Sequence, residues 1–181
     1  MIAYDLIGQT PLVLLESFSD ENVKIYAKLE QFNPGGSIKD RLGKYLIEKA
    51  IDEGRLKEGD TIVEATAGNT GIGLAIASNR HKVKCIIFAP EGFAEEKISI
   101  MKALGADVRR TPKAEGMTGA QQEALAYATR YGYLYMNQFE TKDNPGAYTQ
   151  TLAKQLTDEL SHIDYFVAGV GSGGTFTGVA Q

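Results

Sequence analysis

From about residue 38 onward, amphipathic stretches with helical spacing alternate with short blocks rich in Val, Ile, Phe and Tyr, and this alternation limits the fold more than any other feature. The spacing predicts helices near 38–53, 70–80, 95–104, 118–131 and 145–160, with strands at Thr61–Ala65, Cys85–Ala89, Asp107–Arg110, Tyr133–Asn137 and Tyr165–Val170. Strands separated by helices cannot be joined by tight hairpins. They imply an α/β protein whose parallel sheet is covered on both faces by right-handed crossovers. Ahead of the alternation, Pro11–Leu15 and Val23–Leu29 read as a pair of strands. Ligands of such sheets sit beyond the carboxyl ends of the strands, and two glycine-rich loops fall at predicted strand ends, after Ala65 and after Val170.

The chain has 181 residues, 43% apolar and 23% charged, enough for one large domain, or one and a fraction, with a true core. A net charge of -4 with both signs interspersed offers no basic stripe for nucleic acid and no polybasic membrane anchor. No apolar run approaches the roughly 20 residues of a spanning helix, and the N-terminus lacks signal-peptide character, so a cytoplasmic location is expected. The single cysteine, Cys85, excludes an intrachain disulfide and reads as a buried strand residue. The two histidines, His81 and His162, lie in polar contexts without metal-ligand spacing; both read as surface residues, and no metal is expected. The sequence ends a few residues into the helix expected after the second loop, whose apolar face needs further turns and a neighbour. It therefore reads as the front part of a longer protein.

Three segments carry chemistry. In Asn33-Pro34-Gly35-Gly36-Ser37-Ile38-Lys39-Asp40-Arg41, Ser37 and Asp40 form a capping-box-like pair ahead of the apolar stripe Leu42, Leu46, Ile47, Ala50, Ile51. Lys39 falls on that stripe. Desolvation and the positive helix end would lower its pKa and favour the neutral amine that Schiff-base chemistry needs. Gly169-Val170-Gly171-Ser172-Gly173-Gly174-Thr175 follows a predicted strand and opens a helix, so its N–H groups can nest a phosphate; its glycines also satisfy the loose dinucleotide fingerprint. Thr66-Ala67-Gly68-Asn69-Thr70-Gly71 offers hydroxyls, an amide and glycine N–H groups suited to a carboxylate. Singly, each has a plain structural reading: a snorkelling lysine, a glycine turn, a helix cap. Together they are the parts that a pyridoxal phosphate enzyme acting on an amino acid requires.

These segments, in this order, resemble those of the cysteine synthase and cystathionine β-synthase family, pyridoxal phosphate enzymes of fold type II, the tryptophan synthase β-like fold. Ile7-Gly8-Gln9-Thr10-Pro11-Leu12, Gln138-Phe139 and Asn144-Pro145 match as well, and the likeness covers essentially the whole chain. It implies an N-terminal segment (1–36) whose strand pair packs on the large domain, a small α/β domain (37–144), and the incomplete start of the large cofactor-binding domain (145–181). The family chain is longer, and the part missing here supplies a hydroxyl partner of the pyridine nitrogen.

By the same resemblance, Lys39 would hold pyridoxal 5'-phosphate covalently and act as base at the substrate α-carbon, and Asn69 would hydrogen-bond the cofactor's 3'-oxygen. Gly171, Ser172, Gly173 and Thr175 would hold the phosphate, while Thr66, Asn69, Thr70 and Gln138 would receive the substrate carboxylate. The implied reaction is β-replacement on O-acetyl-L-serine by a thiol acceptor in a homodimer, giving cystathionine from homocysteine or cysteine from sulfide. Ala67 stands where many sulfide-using members have serine and is similar to bacterial members that make cystathionine. Thr149-Gln150-Thr151-Leu152-Ala153-Lys154 departs from the family's Thr-Thr-Gly-Pro pattern, and the haem-binding extension of animal cystathionine β-synthases is absent, so no haem is expected. A fold-type-II dehydratase and a non-catalytic or truncated binding protein remain alternatives.

Overall fold

The computed structural model describes residues 1–181. After a 3-10 turn at Ala3–Leu6, β1 (Leu12–Leu14) pairs antiparallel with β2 (Tyr26–Lys28), placing Leu12 opposite Lys28 and Leu14 opposite Tyr26. There follow α1 (Lys39–Asp52), β3 (Thr61–Ala65), α2 (Asn69–Arg80), β4 (Lys84–Pro90), α3 (Glu95–Ala103), β5 (Asp107–Thr111), α4 (Gly116–Tyr131) and β6 (Leu134–Tyr135). The last stretch holds α5 (Asp143–Tyr148), a π-helical turn at Thr149–Ala153, α6 (Lys154–Glu159) and α7 (Gly174–Ala180). The larger sheet is wholly parallel in the order β5-β4-β3-β6.

Alternate residues of the central strands feed separate cores, as the two-residue period of a strand demands. Ile62, Cys85, Ile87 and Ala89 join α1, α2 and α3 through Leu42, Leu46, Ile47, Ile72, Leu74, Ile98 and Met101. Val63, Ala65, Ile86 and Phe88 face the small residues Ala120, Ala124 and Ala128 of α4. Helices α1 and α2 cross at Gly43 and Gly73; a Cβ at either would collide with the other helix's backbone. That close approach brings the first turn of α1 against α2, the helix that follows the loop after β3.

The helices at 38–53, 70–80, 95–104 and 118–131 agree with the structure to within two residues at each end, and the first three strands of the parallel sheet agree closely. Other expectations need correction. The stretch expected as one helix over 145–160 contains a π-turn, where Thr149 Oγ1 bonds Pro145 O at 3.2 Å and Gly178 O at 2.8 Å. Tyr165–Val170 is not a strand: no neighbouring strand pairs with it, and Tyr165 and Val167 are 89% and 91% exposed. An apolar β-like sequence without a ladder leaves its backbone groups to water. His81 is not a free surface side chain either. Its Nε2 lies 3.3 Å from the Tyr4 hydroxyl, with the two rings edge to face, whereas His162 is exposed. Cys85 is buried, no three His, Cys, Asp or Glu side chains cluster to hold a metal ion, and no helix is long and apolar enough to cross a membrane.

Candidate active site

Ser37 and Asp40 shape the start of α1. Ser37 Oγ accepts the Lys39 N–H at 3.2 Å, while Asp40 Oδ2 reaches back to the N–H of Gly35 at 2.5 Å, beyond the residue a capping box would bond. The glycine turn is thereby tied to the helix, with Gly36 at φ 77° making the bend. The first helical residue, Lys39, turns inward. Its Nζ lies 3.2 Å from Ser172 Oγ and 3.5 Å from the Tyr148 hydroxyl. Burial holds this amine below the ordinary lysine range, opposed by the negative charge of Glu64.

Ser172 belongs to the glycine-rich loop, and Asn144 Nδ2 also meets its Oγ at 3.0 Å. No acceptor in the chain is paired with the N–H groups of Gly171, Ser172, Gly173, Gly174 or Thr175. A Cβ built at Gly171 or Gly173 would meet nothing within 4 Å, so the loop presents bare backbone donors to open space. Burial pushes the pKa of the Tyr148 hydroxyl up to about 12, with Thr175 acting in the opposite direction. The expected phosphate loop and the lysine are thus neighbours, although the segment before the loop is not a strand.

The second loop leaves the carboxyl end of β3. Thr66 Oγ1 accepts the Gly68 N–H at 3.1 Å, and the Thr70 hydroxyl donates to Gln138 Oε1 at 2.7 Å. Thr66, Thr70 and Gln138 are buried, whereas Asn69 is half-buried and its side chain bonds nothing in the chain. The Gln138 carbonyl accepts from Asn144 Nδ2 at 2.7 Å. A hydrogen-bonded path therefore runs from Thr70 through Gln138 and Asn144 to Ser172 and Lys39.

Three contributors escaped the sequence reading. Tyr148 and Asn144 come from α5; Asn144 stands in the matched Asn144-Pro145 pair but carried no assigned role, and nothing in the pattern separates Tyr148 from an ordinary helix residue. Glu64 did leave a signal: it is an acidic residue inside an apolar strand covered on both faces. It is fully buried, its oxygens accept the N–H groups of Ala65 at 2.8 Å and Gln138 at 3.1 Å, and burial pushes its pKa up to about 7 against those bonds and the Lys39 charge.

These residues suit pyridoxal phosphate. Its aldehyde and its phosphate-bearing carbon are ring neighbours, so a desolvated amine beside a bare backbone nest is what the molecule requires. Lys39, Asn69 and the 171–175 loop would hold it.

Comparison with known proteins agrees with this chemistry. The family model described as pyridoxal-phosphate dependent enzyme matches residues 3–181. An O-acetylserine dependent cystathionine β-synthase of Bacillus subtilis (strain 168) is 50% identical over an alignment of length 180 that covers 98% of this chain and 59% of the relative. A cysteine synthase of Helicobacter pylori (strain ATCC 700392 / 26695) is 48% identical over an alignment of length 186 that covers 98% of this chain and 60% of the relative. The crystal structure of O-acetylserine dependent cystathionine β-synthase from H. pylori superposes with a TM-score of 0.92 at 46% identity, covering 99% of this chain and 61% of that one. The chain thus spans about three-fifths of the length of the curated relatives it matches. With the family model matching nearly end to end and the fold shared with that solved structure, the chain belongs to the family of pyridoxal-phosphate dependent enzymes.

Proposed function

We propose that this chain carries the lysine side of an O-acetyl-L-serine β-replacement site, in which acetate leaves the β-carbon and a thiol sulfur takes its place. The observation that carries the proposal is the Lys39 amine, desolvated and 3.2 Å from Ser172 in a loop of free backbone donors. Pyridoxal phosphate, when bound, supplies an electron sink for the α-carbon. Lys39 would hold it covalently and, once the substrate's amino group takes its place and frees Nζ, would accept the α-proton there, a task suited to an amine whose burial favours the neutral form. Gly171, Ser172, Gly173 and Thr175 receive the phosphate, and Asn69, whose amide is uncommitted, reaches the 3'-oxygen. Thr66, Asn69, Thr70 and Gln138 receive the substrate carboxylate.

Homocysteine is the acceptor we favour, with cystathionine as product. Ala67 gives the loop a methyl group where serine would add a donor, and the B. subtilis relative bears the name of a cystathionine-forming enzyme. The division into 1–36, 37–144 and 145–181, a cytoplasmic location and assembly as a homodimer belong to the same proposal and are supported by likeness to the family. Treating the protein with pyridoxal phosphate and borohydride, then mapping the reduced adduct, tests the reading. Lys39 should be the labelled residue, Lys39→Ala should carry no adduct, and Lys39→Arg should fail because a guanidinium stays protonated. Labelling that ignores Lys39 would sink the assignment.

A further inference from the structure

Glu64 stands where the parallel sheet opens toward the site. Strands β3 and β6 pair through Ile62 with Leu134 and Val63 with Tyr135, and the Met136 N–H still reaches Val63 O at 3.0 Å. A parallel ladder would next join Ala65 to Met136 and Gln138. That rung is missing. The Glu64 carboxylate takes its two N–H groups instead, Ala65 at 2.8 Å and Gln138 at 3.1 Å, while Asn137, at φ 47°, turns the chain away from β3. Gln138 is left with its carboxamide on Thr70 and its carbonyl on Asn144, whose amide meets Ser172.

We propose that Glu64 is a positioning residue of this site: its carboxylate wedges β3 and β6 apart at their carboxyl ends, fixes the Gln138 backbone, and so sets the Thr66–Gly71 loop and the 171–175 loop at one spacing around Lys39. A carboxylate is suited to the task because it offers only acceptors, and both groups it meets are donors. A glutamine could satisfy one of them but would turn an NH2 group toward the other. The charges act on each other as well: Glu64 favours the protonated form of Lys39, and Lys39 favours the ionised form of Glu64, each against burial. The ionisable groups whose charge is felt at Glu64, or that feel its charge, are Lys39 of α1, Tyr135 of β6 and Cys85 of β4; burial raises the pKa of the last two. The inference deepens the proposed function, because it takes Thr70 and Gln138 to be receivers of the substrate carboxylate.

The test follows backbone amide resonances of the 19.6 kDa chain against pH, in the protein as it stands and in Glu64→Gln and Lys39→Ala. The Gln138 and Ala65 amides should titrate together near neutrality, following the Glu64 carboxyl. Lys39→Ala should move that midpoint upward, since it removes the positive charge that favours ionised Glu64. In Glu64→Gln the titration should vanish and the Gln138 amide should exchange with solvent about tenfold faster or more, as expected for a lost bond to a charged acceptor. The same variant should still form the reduced adduct at Lys39 while its affinity for O-acetylserine falls about tenfold or more. Gln138 and Ala65 amides that do not titrate, or a midpoint indifferent to Lys39→Ala, would overturn the proposal even if Glu64→Gln fails to fold. Absence of any adduct at Lys39 in the unaltered protein would instead refute the proposed function, and the amide titration reads independently of it.

Discussion

Replacing Gly73 by alanine should loosen the lysine without touching it. A Cβ at Gly73 would run into the Lys39 carbonyl and come within 3.1 Å of Asp40 Cα, all of it backbone that no side-chain rotation can relieve. Alanine is the better helix former by about 1 kcal/mol, so an isolated α2 would gain from the change. To clear the overlap, α1 and α2 must separate by about 1 Å, relaxing contacts around Leu42, Leu46, Ile72 and Leu74, and overpacking of this kind costs about 1 to 3 kcal/mol. Because the obstruction is backbone on both sides, the cost should lie at the upper end, for a net loss of about 2 kcal/mol. Urea unfolding measures that loss. Borohydride trapping measures the second consequence, since the displaced element begins with Lys39: the yield or rate of adduct formation should fall in the folded variant. A Gly73→Ala protein as stable as the original, with unchanged trapping, would refute the view that the glycine crossing sets the lysine's position.

Gly171→Asp should weaken pyridoxal phosphate binding about a hundredfold, because it sets a negative charge beside the phosphate, and the open space around Gly171 means that the loss cannot be laid to a clash. Titration of the cofactor reads it, and an unchanged Kd would make the loop structural. With O-acetylserine as donor, homocysteine should be used at least as well as sulfide, and Ala67→Ser should shift the ratio of specificity constants toward sulfide by about 1 to 3 kcal/mol at most. A protein that uses sulfide alone would refute that choice. Glu64 also predicts a pH dependence of stability. Its carboxyl rises from 4.5 to about 7 on folding, so its favourable contribution is complete below about pH 4.5 and is lost as the pH rises through about 7. Between pH 5 and pH 8 the unfolding free energy should fall by about 2 to 3 kcal/mol more in the original protein than in Glu64→Gln, and equal slopes in chemical denaturation would contradict the assignment.

The sheet and its flanking helices were legible because their patterns are local: Thr61–Ala65 and Cys85–Ala89 are short apolar runs, and α1 and α4 repeat their small or apolar residues at helical spacing. Tyr165–Val170 was misread by the same logic. Its residues favour a strand, but a strand exists only with a neighbour, and no other segment of this chain supplies one. Lys39 could be picked out because a short loop, a cap and an apolar stripe place it within a few residues. The Glu64 pairing with Gln138 crosses 74 positions and ends on a backbone N–H, which every non-proline residue possesses, so no residue pattern announces it.

Remoteness of this kind is general to the site. The lysine is set by a glycine crossing between two helices, the loop after β3 by a side chain filling a missing rung, and the two loops are joined through the Gln138 carbonyl and Asn144. In each case one partner is main chain. Backbone anchors hold position whatever side chain they carry, which leaves Gln138 Nε2 and the Asn69 side-chain amide without a partner in the chain. It also accounts for a buried carboxylate at this position despite its desolvation cost. An apolar residue at 64 would pack more favourably, but it would leave the Ala65 and Gln138 N–H groups either unsatisfied or closed into the ladder. Closing that rung would draw residue 138 back toward β3 and away from Asn144, and the glycine loop and the loop after β3 would lose the link that now joins them beside Lys39.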